Sequence, residues 1–130
     1  VGHTVREAFV ELEITNKTTQ EGYYAYAMLR SWLELQATWS VYASGSPWQA
    51  VGAEGFFDRV ANPSGKITAL AVGPHVFSLD PATVQLWVDD PTQNHGIVIA
   101  NPNNSDGVDF RSREAPVAGD RPKLTVVYEN

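Results

Sequence analysis

Ala8-Phe9-Val10-Glu11-Leu12-Glu13-Ile14-Thr15 is the stretch that decides the fold class. Ala8, Val10, Leu12 and Ile14 alternate with Phe9, Glu11, Glu13 and Thr15, a period of two that puts one apolar row against a core and a wetter row outside. The same period recurs along the chain. Residues 23–30 carry Tyr23, Tyr24 and Tyr26 and read as a second strand. Residues 38–43, 66–72 and 75–79 read as three more, and Ile97 with Ile99 opens another. Val108, Phe110 and Ser112 alternate with Asp109, Arg111 and Arg113. Leu124, Val126 and Tyr128 alternate with Thr125 and Val127.

Turn chemistry separates these runs. Asn62-Pro63-Ser64-Gly65 and Gly73-Pro74 are turn clusters, and residues 101–107, Asn-Pro-Asn-Asn-Ser-Asp-Gly, have the composition of a hairpin loop. Gly52 and Gly55 make residues 48–60 irregular. A single helix is predicted, with Asp80 as N-cap, Pro81 as first helical residue, and Val84, Trp87 and Val88 on one side. It ends at Asp89-Asp90-Pro91. Short strands, regular turns and one short helix predict an all-β chain, a jelly-roll-like antiparallel β-sandwich. Its 130 residues make a single domain with no internal repeat.

Composition narrows the function. A net charge of -6 argues against a nucleic-acid binder, which needs a basic face for phosphates. No apolar run is long enough for a membrane span. The absence of cysteine removes disulfides, zinc-thiolate sites and cysteine nucleophiles. The chain opens on Val1-Gly2-His3, without an initiator Met or a signal peptide, and reads as a piece of a longer product.

No catalytic constellation stands out, and no enzyme is expected. Glu54 with Asp58, or Asp89 with Asp90, are carboxylate pairs to weigh for acid/base work. Adjacent helical residues point apart, so Asp89 and Asp90 suit a solvated helix end. His3, His75 and His95 lack metal-ligand spacing. Asn103, Asp106 and Asp109, with Asn104 between them, could offer hard oxygen ligands to a structural calcium. The simpler reading is a turn held by Asx hydrogen bonds.

The aromatic residues carry more. Trp32, Trp48, Tyr23 and Tyr42 lie near turns or irregular segments and are candidate platforms for the apolar face of a sugar. Trp39 and Trp87 read as core. Arg111, Arg113, Arg121 and Lys123 form a local cationic cluster, with Arg111 and Lys123 the candidates for capturing a carboxylate ligand. Ion pairs that stabilise the sheet are the competing role.

The order of these pieces resembles a known family. Val84-Gln85-Leu86-Trp87-Val88 is followed by Pro91, Asn94 and Gly96-Ile97-Val98-Ile99. Then come Val108-Asp109-Phe110-Arg111-Ser112-Arg113-Glu114 and Arg121-Pro122-Lys123-Leu124-Thr125-Val126-Val127-Tyr128. Upstream stand residues 5–14, then Trp32, Glu34, Ala37-Thr38-Trp39 and Pro47-Trp48. The set is similar to the DNRLRE domain, or disaggregatase-related repeat. The resemblance implies a jelly-roll-like sandwich in a secreted or cell-surface multidomain protein, binding polysaccharide, with acidic polysaccharides such as alginate among the known ligands. It departs in two respects: the family usually opens with further strands before the equivalent of Val5, and its Asp-Val-Thr pattern before the helix is here Ser78-Leu79-Asp80. The alternative is therefore a structural subunit of a filament or surface layer, completed by a strand from a neighbouring chain.

Overall fold

The computed structural model describes residues 2–18, 22–68 and 71–130. Among the described residues strand takes up 39% and helix 15%, so the β-rich class holds, with antiparallel sheets and one α-helix. The opening alternation becomes β1 (Thr4–Asn16), longer than the period alone marks out. Its inward row, Val5, Ala8, Val10, Leu12 and Ile14, is buried.

Sheet one is built around β1. On one side lies β6 (Gly73–Leu79), with Ala8 opposite Leu79 and Ile14 opposite Gly73. On the other side β9 (Lys123–Glu129) and β8 (Asp109–Phe110) follow one another along the same edge. The β1–β9 register shifts between Val5 and Glu7, a bulge that sends Arg6 to a surface ion pair with Glu129. Sheet two holds β5 (Gly65–Ile67), β2 (Tyr23–Ala27) and β7 (Ile97–Ala100), with β2 central. A small hairpin joins β3 (Val41–Ala43) and β4 (Ser46–Pro47).

The two sheets bury one common core. Ala25, Ala27 and Ile67 of sheet two pack with the inward row of β1 and with Phe77 and Leu79. Where β5 meets β6 the approach is close: a Cβ on Gly65 would lie 2.6 Å from the Ser78 carbonyl oxygen. The helix α1 (Pro81–Asp89) closes one end with Val84 and Trp87. Its start follows the expected chemistry, the Asp80 carboxylate accepting from the Ala82 N–H at 3.0 Å. Gln85 ties α1 to the bulge, accepting from the Val5 N–H at 2.8 Å and donating to the His3 carbonyl at 3.1 Å.

Several sequence expectations need correction. The strand expected over 23–30 stops at Ala27, and the one over 38–43 shrinks to Val41–Ala43. The Thr38 hydroxyl accepts from the Ser40 and Val41 N–H groups, which turns the chain where a strand would need it extended. The strand expected over 66–72 is Gly65–Ile67, and residues 69–70 lie outside the described residues. Residues 101–107 are not a hairpin loop. They carry the chain from β7 in sheet two to β8 in sheet one, because Asn101 and Asn104 both donate to the Gly22 carbonyl and anchor the loop at the start of β2.

Candidate functional site

Residues 28–60, after β2, form a loop-rich segment with a small core of Met28, Trp48 and Ala53, flanked by Tyr42 and Val98. Its hub is Asp58, fully buried. The Asp58 carboxylate accepts from the N–H groups of Gln49 at 3.1 Å, Ala50 at 3.1 Å and Gly55 at 2.9 Å, and from Arg30 at 3.3 Å. Burial pushes its pKa up, but the backbone donors, with Arg30, outweigh burial and hold the carboxyl below its ordinary value. An anion so saturated with donors is a structural clamp. Glu54, its imagined partner, pairs instead with Arg59 at 3.6 Å. On the helix, Asp89 accepts from Gln85 and Asp90 caps the turn at Thr92, whose hydroxyl and N–H lower the Asp90 pKa.

The four tryptophans are arranged differently from expectation. Trp48 is not a platform: it is only 9% exposed, its Nε1 donates to the Thr38 carbonyl at 2.9 Å, and Tyr42 packs on it. Tyr42 is half-buried, held in turn under the Arg30 guanidinium, 4.1 Å from the ring centre. Trp39, expected in the core, is 66% exposed. Its six-membered ring lies against Gly52, where a Cβ would sit 2.4 Å from two ring carbons, and the Gly52 N–H donates to the Trp39 carbonyl at 2.7 Å. Gly52 has a φ of 74°, so glycine meets two demands there at once. Trp87 is core, as read.

Trp32 is 38% exposed and is fixed by its Nε1, which donates to the His95 carbonyl at 2.7 Å. It walls an open cleft with Ser31, Asn94, His95 and Gly96. Tyr23 is half-buried at the start of the central strand β2, its hydroxyl donating to the Asp106 carbonyl at 2.7 Å. The sequence reading missed Phe56 and Phe57, both exposed and packed edge to face with ring centres 5.6 Å apart. The signal available was the pair of glycines, Gly52 and Gly55, that bend the chain around them.

The cations are largely engaged. Lys123 pairs with Glu11 at 3.2 Å, Arg113 pairs with Glu34 and Glu114, and Arg121 donates to the Ala115 carbonyl at 2.9 Å. Arg111 is exposed on the chain just after β8, its N–H donating to the Glu13 carbonyl at 2.9 Å.

The loop considered for calcium is held by Asx turns. The Asn101 side-chain oxygen accepts from the Asn103 N–H and the Asn104 side-chain oxygen from the Asp106 N–H, each at 2.9 Å. The Asp106 carbonyl takes the Tyr23 hydroxyl, and Asp109 lies on β8 opposite Asn16. Among the described residues, no three of His, Asp and Glu gather as a metal-binding group. No described helix is long and apolar enough to cross a membrane.

No family model matches this sequence, and no match was found among curated proteins or solved structures.

Proposed function

We propose that this chain is a non-catalytic carbohydrate-binding module of the DNRLRE kind, a jelly-roll-like β-sandwich belonging to a secreted or cell-surface multidomain protein. The observation that carries the reading is the Trp32 cleft. An indole fixed by its own N–H bond to His95 keeps part of its ring open, and Ser31, Asn94 and His95 border the same opening. An aromatic wall with polar groups beside it is what a pyranose ring asks for: an apolar face to stack on and partners for its hydroxyls. Trp39, held against Gly52, offers a second exposed ring on the same loop segment. Lys123 and Arg113 are paired with carboxylates of this chain, which favours a neutral glycan over a uronate polymer.

The test is affinity electrophoresis and calorimetry against neutral and acidic polysaccharides, with Trp32→Ala, Trp39→Ala and the parent. One polysaccharide should retard the parent, and Trp32→Ala should lose that retardation while melting as the parent does. Retention of full binding by both variants would remove the aromatic reading.

A further inference from the structure

The free edge of β9 is self-complementary, and we infer that it joins a second copy of this chain across a two-fold axis at Val126. Among the described residues β9 pairs only with β1, which leaves one side of a seven-residue strand with open N–H and C=O groups. Proteins ordinarily guard such an edge with short strands, proline or inward charge. Lys123-Leu124-Thr125-Val126-Val127-Tyr128-Glu129 has no proline, and its only charges stand at its two ends.

Those ends identify the occupant. In an antiparallel pairing centred on Val126, Lys123 faces Glu129 of the partner subunit, and Glu129 faces the partner's Lys123. Opposite charges directly across a strand pair stabilise it, and like charges destabilise it. The outer face then carries alternating signs through the seam. Lys123 already pairs with Glu11 and Glu129 with Arg6, so the row runs Glu11, Lys123, the partner's Glu129, the partner's Arg6.

The inner face makes the same demand. Leu124, Val126 and Tyr128 stand opposite Val10, Ala8 and Val5, on the core side of the sheet. Yet Leu124 is 46% and Tyr128 58% exposed, and an apolar groove lined by His3, Val5, Val88, Val126 and Tyr128 stays open beside them. The pairing that matches the charges sets Leu124 against the partner's Tyr128 and Val126 against itself, extending both apolar rows over the seam. One register therefore satisfies the backbone edge, the outer charges and the inner apolar face.

The test is sedimentation velocity from micromolar to millimolar protein. The parent should show a concentration-dependent dimer. Lys123→Glu should weaken it roughly tenfold, since two symmetry-related attractions become repulsions. The double variant Lys123→Glu with Glu129→Lys should restore it. Each reversal also sets like charges across an exposed in-chain pair, position 123 against Glu11 and position 129 against Arg6, at a cost of about 1 kcal/mol or less, and circular dichroism checks that each variant folds. A second readout is independent of charge. The chain has no cysteine, and a directly opposed antiparallel pair sets Cα atoms about 4.5–5.5 Å apart, within disulfide reach. Val126→Cys should therefore form a disulfide-linked dimer on mild oxidation, well ahead of Val76→Cys on β6. A monomer at every concentration, a dimer indifferent to the charge reversals, or equal cross-linking at both positions would overturn the inference.

Discussion

Burying a carboxylate costs several kcal/mol unless donors meet it, and at Asp58 three backbone N–H groups and Arg30 do so. Those donors come from Arg30, from residues 49 and 50 and from residue 55, so one side chain gathers three stretches of a segment that has little regular structure. Asp58→Asn keeps the shape but turns part of the acceptor into a donor facing N–H groups. It is expected to destabilise the chain by about 2–4 kcal/mol, measured by urea denaturation at neutral pH. Because the folded pKa is depressed, the Asp58 contribution is present above the ordinary 3.8 and is lost as pH falls below it. The tryptophans differ in the same currency. Trp48→Ala empties a buried site that also satisfies the Thr38 carbonyl, and should cost about 3–5 kcal/mol. Trp39→Ala should cost less than about 1 kcal/mol, because most of its ring already faces water. Equal losses in the two variants would contradict the arrangement. Sequence alone could not tell these two residues apart. Both sit beside a short β-prone run, and what separates them is tertiary: Tyr42 covers one ring, while Gly52 backs the other.

At the scale of elements, local chemistry was readable wherever one residue set the geometry. Asp80-Pro81 fixed the start of α1, and the alternation of β1, β6 and β9 placed their inward rows. Pairing was not readable, because period two says which face is buried but not which strand lies alongside. The misread of residues 101–107 shows the difference. Its Asn-rich composition does make turns, through Asn101 and Asn104, but their amides also reach the Gly22 carbonyl, a tie invisible to a local reading. By sequence Gly65 likewise reads as a turn residue. Its φ is ordinary, and its reason lies across the fold, in the close passage of Ser78 and the Phe77 ring, 2.6 Å and 3.2 Å from where a Cβ would stand. Gly65→Ala must push β5 from β6, and should lower stability by about 1–3 kcal/mol. A melting curve unchanged from the parent would mean that the two strands do not approach so closely.

At the scale of the whole molecule, the core-facing row of β6 carries a half-buried group that changes charge near neutrality. His75 stands on β6 opposite Leu12, on the row that carries Phe77 and Leu79 inward. Its Nε2 is buried with no hydrogen-bond partner. Glu11 and Glu13 flank Leu12 on β1 and alternate to the other face of the sheet, so the nearest carboxylates of that strand turn away from the ring. Burial lowers the His75 pKa from the ordinary 6.5. The unfolded chain then binds a proton at a higher pH than the folded one does. The stability that His75 permits is therefore complete above about pH 6.5 and declines as pH drops from there toward the lowered folded value. Asp58 acts only below 3.8, so the two effects occupy separate windows. Urea midpoints measured at pH 7, 6 and 5 should fall in the parent, and His75→Val, which suits a strand and cannot titrate, should flatten that decline. Parallel declines in parent and variant would place the acid sensitivity elsewhere. The strand period identified the row on which His75 lies, but its missing partner shows only in the folded structure.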